Sequence, residues 1–384
     1  MTDFHFLIFY SLIHILTYYL PTTKMNFEIC NISKLVITVF SCFINILLMI
    51  VVIRKSPKSL GSYKYLMVFM SISELCYALI DFLLKPEVIL NGSFWTVGTN
   101  STRTILPLWL AYPLVLLWGA SYGIAMACFG IHFIFRYFMV TGNRQWVSGS
   151  LMLMIWFSVP FICGFVYAFT IHVFLRFDNV LEVFERANIE SLKHFSIDEL
   201  VYYGFNLYRT PLGSEVQEVN WNNMNGLILM SSIVTLSLIT MIYFAVKAHK
   251  AIRELASSCE NVSSLAQSLQ RQLFYSLVIQ TVIPMILIHV PTTLIVVSSL
   301  LGVGKQLYGD VIIVTIGLFP AIDPLPSLII IKPYREAIKS KVHSSQCLIT
   351  HSFFPDFLLF KKPSSTIRPD DTKFSNVISR AVFT

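Results

Sequence analysis

Residues 34–53 read KLVITVFSCFINILLMIVVI and run straight into RKSPKSLGSYK at 54–64. The first stretch is apolar throughout except for Lys34 at its start, Asn45 and a few small polar side chains. The second carries four cations and no acid. Hydrocarbon takes about 20 apolar residues of helix to cross, and a backbone in lipid must satisfy its own hydrogen bonds, which a helix does. Lys and Arg in short loops favour the cytoplasmic side. This stretch therefore sets element, solvent and direction together. Six further apolar runs follow, at residues 65–90, 104–140, 146–174, 222–247, 271–300 and 308–332. The expected fold class is all-α: an integral membrane bundle of seven transmembrane helices, N-terminus outside and C-terminus cytoplasmic.

The remaining charge agrees with that direction. Arg136 and Arg144 border the second cytoplasmic loop, Lys247, Lys250, Arg253 and Arg271 the third, and Lys332, Arg335, Lys339 and Lys341 follow the last run. The long loop over residues 175–221 is acidic instead, with Asp178, Glu182, Glu185 and Glu190 among its residues. Acceptor triplets at Asn31, Asn91 and Asn100 fall outside on this topology and Asn261 falls inside. Asn91 and Asn100 are the expected glycosylation sites.

Composition narrows the partners. The 384 residues are 55% hydrophobic and 13% charged, with mean hydropathy +0.68. A soluble domain carries about 25% charged residues, so this chain lacks the polar surface to coat a soluble particle, and the lipid bilayer is its partner. The net charge of +7 sits in loops and tail rather than along one helix face, which argues against nucleic acid. The seven cysteines are scattered: Cys42, Cys76, Cys128 and Cys163 lie inside runs, and Cys30 has no exterior partner. No disulfide and no metal site are expected. Residues 4–20 form a shorter apolar run with Asp3 where a signal has a cation, and no small-residue cleavage site follows. Met25 opens a stretch that would serve as a start. The run is read as signal-like or as an upstream extension, in preference to an eighth helix.

Ionisable residues in hydrocarbon cost about 2.5–3.5 kcal/mol on insertion scales, so each requires an account. Glu74 and Asp81 lie two turns apart on one face of the second run. Asp81 has Lys85 at i+4 as a local partner. Glu74 has none, and Asn45 and Asp323 are expected to face it across the bundle. Such a cluster either knots helices statically or rearranges as a switch. Arg136, one turn after His132, reads either as a snorkelling cation or as an arginine held for a cytoplasmic partner. Pro160, Pro284, Pro291, Pro320, Pro324 and Pro326 interrupt the later runs. Each interior proline deletes a helical hydrogen bond and permits a kink, and Pro284, Pro291 and Pro324 are the expected hinges. Trp109, Tyr112, Trp118 and Tyr122 crowd the third run, as the wall of an apolar pocket or as ordinary packing. No GxSxG, HExxH or phosphate-cradling loop occurs, so neither catalysis nor a cofactor is expected. A transporter or ligand-gated channel is the rival reading. The runs do not pair into repeats, and the third run has no continuous polar face.

Several segments together resemble the nematode seven-transmembrane chemoreceptors of the Str/Srj group, within the rhodopsin-like G-protein-coupled receptor superfamily. They are SPKSLGSYK at 56–64, IHFIFRYF at 131–138, LQRQLFY at 269–275, Ile283-Pro284, Val290-Pro291, and FPAIDPLP at 319–326. The likeness covers about Met25 to about Arg335. It implies an odorant-type receptor in the plasma membrane, in the cilium of a sensory neuron, that detects a small, apolar or volatile molecule and activates a heterotrimeric G protein. The runs and their flanking charges give the expected organisation: residues 1–33 as an extracellular segment, 34–332 as the receptor domain, and 333–384 as a cytoplasmic tail, helical next to the membrane and then mostly disordered.

By the wider likeness, Phe135-Arg136-Tyr137 stands for the Asp/Glu-Arg-Tyr motif of rhodopsin-like receptors and Asp323-Pro324 for their Asn-Pro. Asn45 and Glu74 stand for their first-helix Asn and second-helix acid. Arg136, Tyr137, Lys250, Arg253 and Arg271 are then expected at the G protein, Asn45, Glu74 and Asp323 as a polar switch, and Trp109, Tyr112, His289 and Thr292 at the ligand. The chain departs from the pattern at Phe135, which replaces the acid beside the arginine, and at Ser327, which replaces a tyrosine. It also lacks the cysteines that usually clamp the second outer loop to the third helix. In the tail, the basic segment 334–341 is expected to lie along the membrane surface. Cys347 is a candidate for palmitoylation, and Ser364, Ser365 and Thr366 are candidates for phosphorylation.

Overall fold

The structure, a computed structural model, describes residues 27–57, 60–101, 104, 106–175, 200–209, 216–257 and 264–340. Residues 1–338 form one compact unit; the second, 339–384, lies almost wholly outside the described residues. So do the apolar run at 4–20, Asn261, Cys347, Ser364, Ser365, Thr366 and most of the acidic loop.

Seven rods are long and apolar enough to cross a membrane. They are α1 (Phe27–Lys55), α2 (Tyr63–Leu84), α3 (Leu108–Val140), α4 (Ser150–Phe174) and α5 (Trp221–Ser257), then two broken ones. The sixth rod joins α6 (Ser264–Pro284) through a π-helical turn, Met285–His289, to α7 (Val290–Leu300). The seventh joins α8 (Gln306–Ile322) to α9 (Leu325–Ile330) through Asp323 and Pro324. The breaks fall at prolines because a proline has no N–H to give the preceding turn.

The second run was expected to stay helical to residue 90, and here the structure corrects the sequence. Lys85 caps α2 in the left-handed region (φ 47°) and Pro86 follows. A left-handed residue followed by proline stops a helix. The chain beyond is extended: β1 (Glu87–Asn91) pairs antiparallel with β2 (Phe94–Asn100) around a two-residue turn, Gly92-Ser93. Gly92 takes φ +58°, a region open to glycine. β3 (Leu200–Asn206), from the long loop between α4 and α5, adds to the other edge of β2, giving the order β1-β2-β3. A two-stranded ribbon, β4 (Tyr208–Arg209) with β5 (Glu218–Val219), leads into α5.

Burial divides into three layers along the bundle. Leu84, Leu90, Val115, Ile171 and Phe205 pack under the sheet. Met126, Phe129, Phe133, Met241 and Phe319 fill the middle. Val52, Leu60, Phe135, Val147 and Leu273 close the opposite end, which carries the basic loops. A last helix, residues 332–340, begins there. Its Tyr334 is buried and meets the Ser56 hydroxyl at 2.7 Å. Burial pushes that phenol up to about 12, so it is neutral at physiological pH.

Candidate functional site

A cavity of about 930 Å³ occupies the sheet half of the bundle. Its lid is the sheet, through Val88, Trp95, Val97, Tyr203 and Phe205. Its walls include Trp118 and Tyr122 of α3, Met230 of α5, and His289 and Thr292 of the sixth rod. Its floor is Glu74 and Phe319. The lining is mostly aromatic and aliphatic. His289 Nε2 is buried without a hydrogen-bond partner in the protein, and Thr292, one turn on, faces the Tyr122 hydroxyl. An unpaired buried nitrogen calls for a partner, and both residues lie on the wall of the cavity.

The lid is fastened on every side. The Gln306 side chain donates to the Val88 carbonyl (2.8 Å) and accepts from the Leu90 N–H (3.0 Å), filling the free edge of β1. Gly92 and Gly304 exchange backbone bonds at 3.0 and 3.2 Å. The Thr99 hydroxyl donates to the Leu84 carbonyl. On the far edge the Gly204 N–H donates to the Leu175 carbonyl (3.1 Å). The Asn206 N–H donates to Asn223 Oδ1 (2.7 Å), and Asn223 Nδ2 donates to the Phe174 carbonyl (2.7 Å). Trp95 and Phe205 stack across β2 and β3 with ring centroids 4.3 Å apart. Burial raises the pKa of Tyr203, which keeps the phenol neutral. Strand pairing thus joins the first and second loops of this end without a disulfide; Cys42, Cys76, Cys128 and Cys163 are free thiols.

Below the cavity lies a polar layer. Asn45 Nδ2 donates to the carbonyls of Ser41 (3.1 Å) and Pro320 (2.8 Å). Glu74 packs against Asp323 and Asn45, all three buried. Gln280 Nε2 donates to the Asp323 carbonyl (3.0 Å) and carboxylate (3.2 Å), and Gln280 Oε1 accepts from Ser327 (3.1 Å). Glu74 lies within hydrogen-bonding reach of both Asp323 and Asn45. Asp81 accepts from Trp118 Nε1 (3.0 Å) and Tyr77 (3.5 Å). The expectation of a purely local ion pair missed these aromatic donors.

At the basic end Arg136 is 1% exposed. It is no snorkelling residue: its guanidinium donates to the backbone carbonyl of Gln270 on α6. Tyr63 meets His132 Nδ1 at 3.1 Å beside it. Phe135, in place of an acid, packs edge-on against Trp156 at 5.6 Å. Tyr137 is half-buried against Phe244. Lys250, Arg253 and Arg271 are exposed. Lys250 reaches Glu254 at 3.9 Å, an exposed pair worth little.

The structure therefore brings Asn45, Glu74 and Asp323 together, puts His289 and Thr292 on the cavity, and sets Pro284 and Pro291 on either side of the π turn. It does not bring Trp109 and Tyr112 to the cavity. Trp109 is 76% exposed, and Tyr112 bonds His172 at 3.1 Å on the outer surface. At about 3.6 residues per turn, Trp109 and Trp118 fall on opposite sides of α3. That phase is readable from the numbering and parts Trp109 from Trp118 on one run. Asn91 is exposed at the hairpin, whereas Asn100 is buried at the end of β2. A glycan fits the first position and not the second. Gln280, Gln306, Tyr203 and Phe205 were not singled out, since each acts through a neighbour distant in sequence.

Residues 30–339 match the family described as serpentine type 7TM GPCR chemoreceptor Str. Relatives include G-protein coupled receptor str-217 of Caenorhabditis elegans, 28% identical over 77% of this chain and 84% of that protein. Serpentine receptor class r-10 of the same organism is 27% identical over 74% and 83%, and G-protein coupled receptor str-33 is 22% identical over 77% and 85%. The seven apolar rods and this match over most of the chain agree, and the protein belongs to the Str family of serpentine seven-transmembrane chemoreceptors, as a multi-pass membrane receptor of the G-protein-coupled type.

Proposed function

We propose that the chain is a chemosensory receptor that binds an uncharged, largely apolar small molecule in the cavity under the sheet and activates a heterotrimeric G protein at the basic end. The carrying observation is the cavity itself: an apolar chamber of about 930 Å³ with a buried, unpartnered polar atom, His289 Nε2, on one wall. A mostly apolar site with few fixed polar groups suits such a ligand. The loop charges orient the sheet end outward and the basic end to the cytoplasm. The proposed location is the plasma membrane, in the sensory cilium, with a glycan at Asn91 and a palmitoyl group at Cys347.

The transmission follows from the same contacts. A ligand against His289 presses on the π turn between Pro284 and Pro291, a local irregularity of the kind found at functional sites. Movement of α6 loosens Gln280 from Asp323 beside Pro324, and Gln270 from Arg136. The layer at Asn45, Glu74 and Asp323 is tied to α6 through Gln280, so movement of α6 rearranges it. The ligand must bind the opened arrangement more tightly than the closed one, since equal affinity shifts nothing. Arg136 and Tyr137, with Lys250, Arg253 and Arg271 around them, then meet the G protein.

The test is a screen of volatile alcohols, ketones and esters on cells expressing the chain, read by a second messenger. His289→Phe should abolish or strongly shift the response, and Arg136→Ala should abolish it with surface expression kept. A full response in Arg136→Ala removes the coupling role. A ligand-evoked current in cells without G proteins replaces this reading with a channel.

A further inference from the structure

The cavity has a lid where a water-borne ligand would arrive. The sheet covers that end and is fastened to α2, to the end of α4, to α5, to the seventh rod and to the turn before it by the bonds given above. The side of the bundle is different. Among the described residues, the backbones of α5 and α7 approach closely at few points, although α5 packs along α3 and α4. A groove of about 550 Å³ lies between them, lined by Ile228, Ser232, Leu236 and Ile239 of α5 and by Val296 and Leu300 of α7. Its outer rim faces away from the bundle: Ile228 is 53% and Leu236 67% exposed.

Groove and cavity share a wall. Leu227, Ser231, Thr235 and Val296 line both. Val290 and Thr293, on the outer surface of α7, also line the cavity. The residues at this gap are short on the α5 side, Ser231, Ser232 and Thr235. The Ser232 hydroxyl is satisfied by the Ile228 carbonyl at 2.7 Å, so it presents no unpaired donor to lipid.

We infer that molecules reach the cavity sideways, from within the bilayer, through the gap between α5 and α7 rather than through the sheet. The inference rests on reading the cavity as the ligand site, and it narrows the ligand class to uncharged molecules that partition into lipid. A charged solute does not use this route, because it would first have to enter hydrocarbon.

The test needs no ligand. A thiol is placed in the cavity by Thr292→Cys, and its labelling in intact membranes is followed by peptide mass spectrometry. One probe is N-phenylmaleimide, neutral and lipid-soluble; the other is a sulfonated methanethiosulfonate, confined to water. Rates are normalised to Asn91→Cys at the exposed hairpin. Position 292 should react readily with the neutral probe and scarcely with the sulfonate. Adding Ser232→Trp, which fills the groove without facing the cavity, should slow the neutral probe about ten-fold, the scale of one overpacked side chain. Ile228→Trp is the second plug, should the first fail to reach the membrane. Equal normalised rates for the two probes, or a neutral rate unchanged by both plugs, overturns the lateral route. Either result leaves the cavity's role to the His289 response, which is measured separately.

Discussion

The two ends of this bundle are closed by different chemistry. The sheet end is closed by backbone pairing: three strands, two glycines exchanging bonds, and side chains that cap strand edges. The basic end is closed by an apolar layer around Phe135 and Leu273, and its polar ties are single side-chain contacts, Arg136 to a carbonyl of α6, Tyr63 to His132, and Ser56 to Tyr334. Strand pairing distributes its energy over many bonds and gives way only as a unit. A closure of single bonds, each worth about 0.5–1.5 kcal/mol net, gives way one contact at a time. The contrast fits a molecule whose lid stays in place while its opposite face opens.

Changes at the lid should therefore disable folding, and changes at the other end should alter signalling. The largest effect is expected at Gly98→Val. A Cβ there meets the Val201 carbonyl at 2.6 Å and runs into the Tyr202 side chain, so β2 and β3 must separate. Forced overpacking costs about 3 kcal/mol at the upper end of its usual range. Surface expression should fall to background; normal expression with an intact response would show that the sheet does not close this end. Gln306→Ala removes both bonds to β1 and should cost about 2 kcal/mol, read as earlier thermal unfolding in detergent with ligand-evoked signalling retained.

At the polar layer, Gln280→Leu unties α6 from Asp323 and Ser327. Ligand-independent signalling should rise about ten-fold, as expected for about 1.4 kcal/mol taken from the closed arrangement. A silent mutant with normal expression would make the layer a static knot. The smallest effect is assigned to Tyr63→Phe, which removes one bond to His132 and should raise basal signalling about five-fold, for about 1 kcal/mol. If Tyr63→Phe destabilises the protein as much as Gln306→Ala while leaving basal signalling flat, the two ends do not differ in kind.

Much of this was legible in the chain. The seven rods follow from the length and apolarity of their runs, and their breaks follow from Pro284 and Pro324. The facing of Asn45, Glu74 and Asp323 was legible because a polar group in hydrocarbon must find a partner and few were on offer. The hairpin signal was present too, in Gly92-Ser93 between two runs of mostly apolar residues, but a run of apolar residues reads equally as helix or strand until its stop is found. The stop was Lys85-Pro86. Misreading it lengthened α2 and hid the sheet. The binding wall was half legible: His289 and Thr292 fall on the cavity, whereas Trp109 and Tyr112 do not, because residue type marks an aromatic without marking the side of the helix it occupies.

By itself the sequence determined that the chain lives in lipid, crosses it seven times and carries acid-poor basic loops at one end, because transfer free energy depends on local composition alone. Only the tertiary structure decided that β3 from one loop pairs with a hairpin from another, that Arg136 reaches a backbone carbonyl where an acid was missing, and that α5 and α7 stand apart. Those contacts join residues far apart in the chain, and their partners are set by how the helices pack.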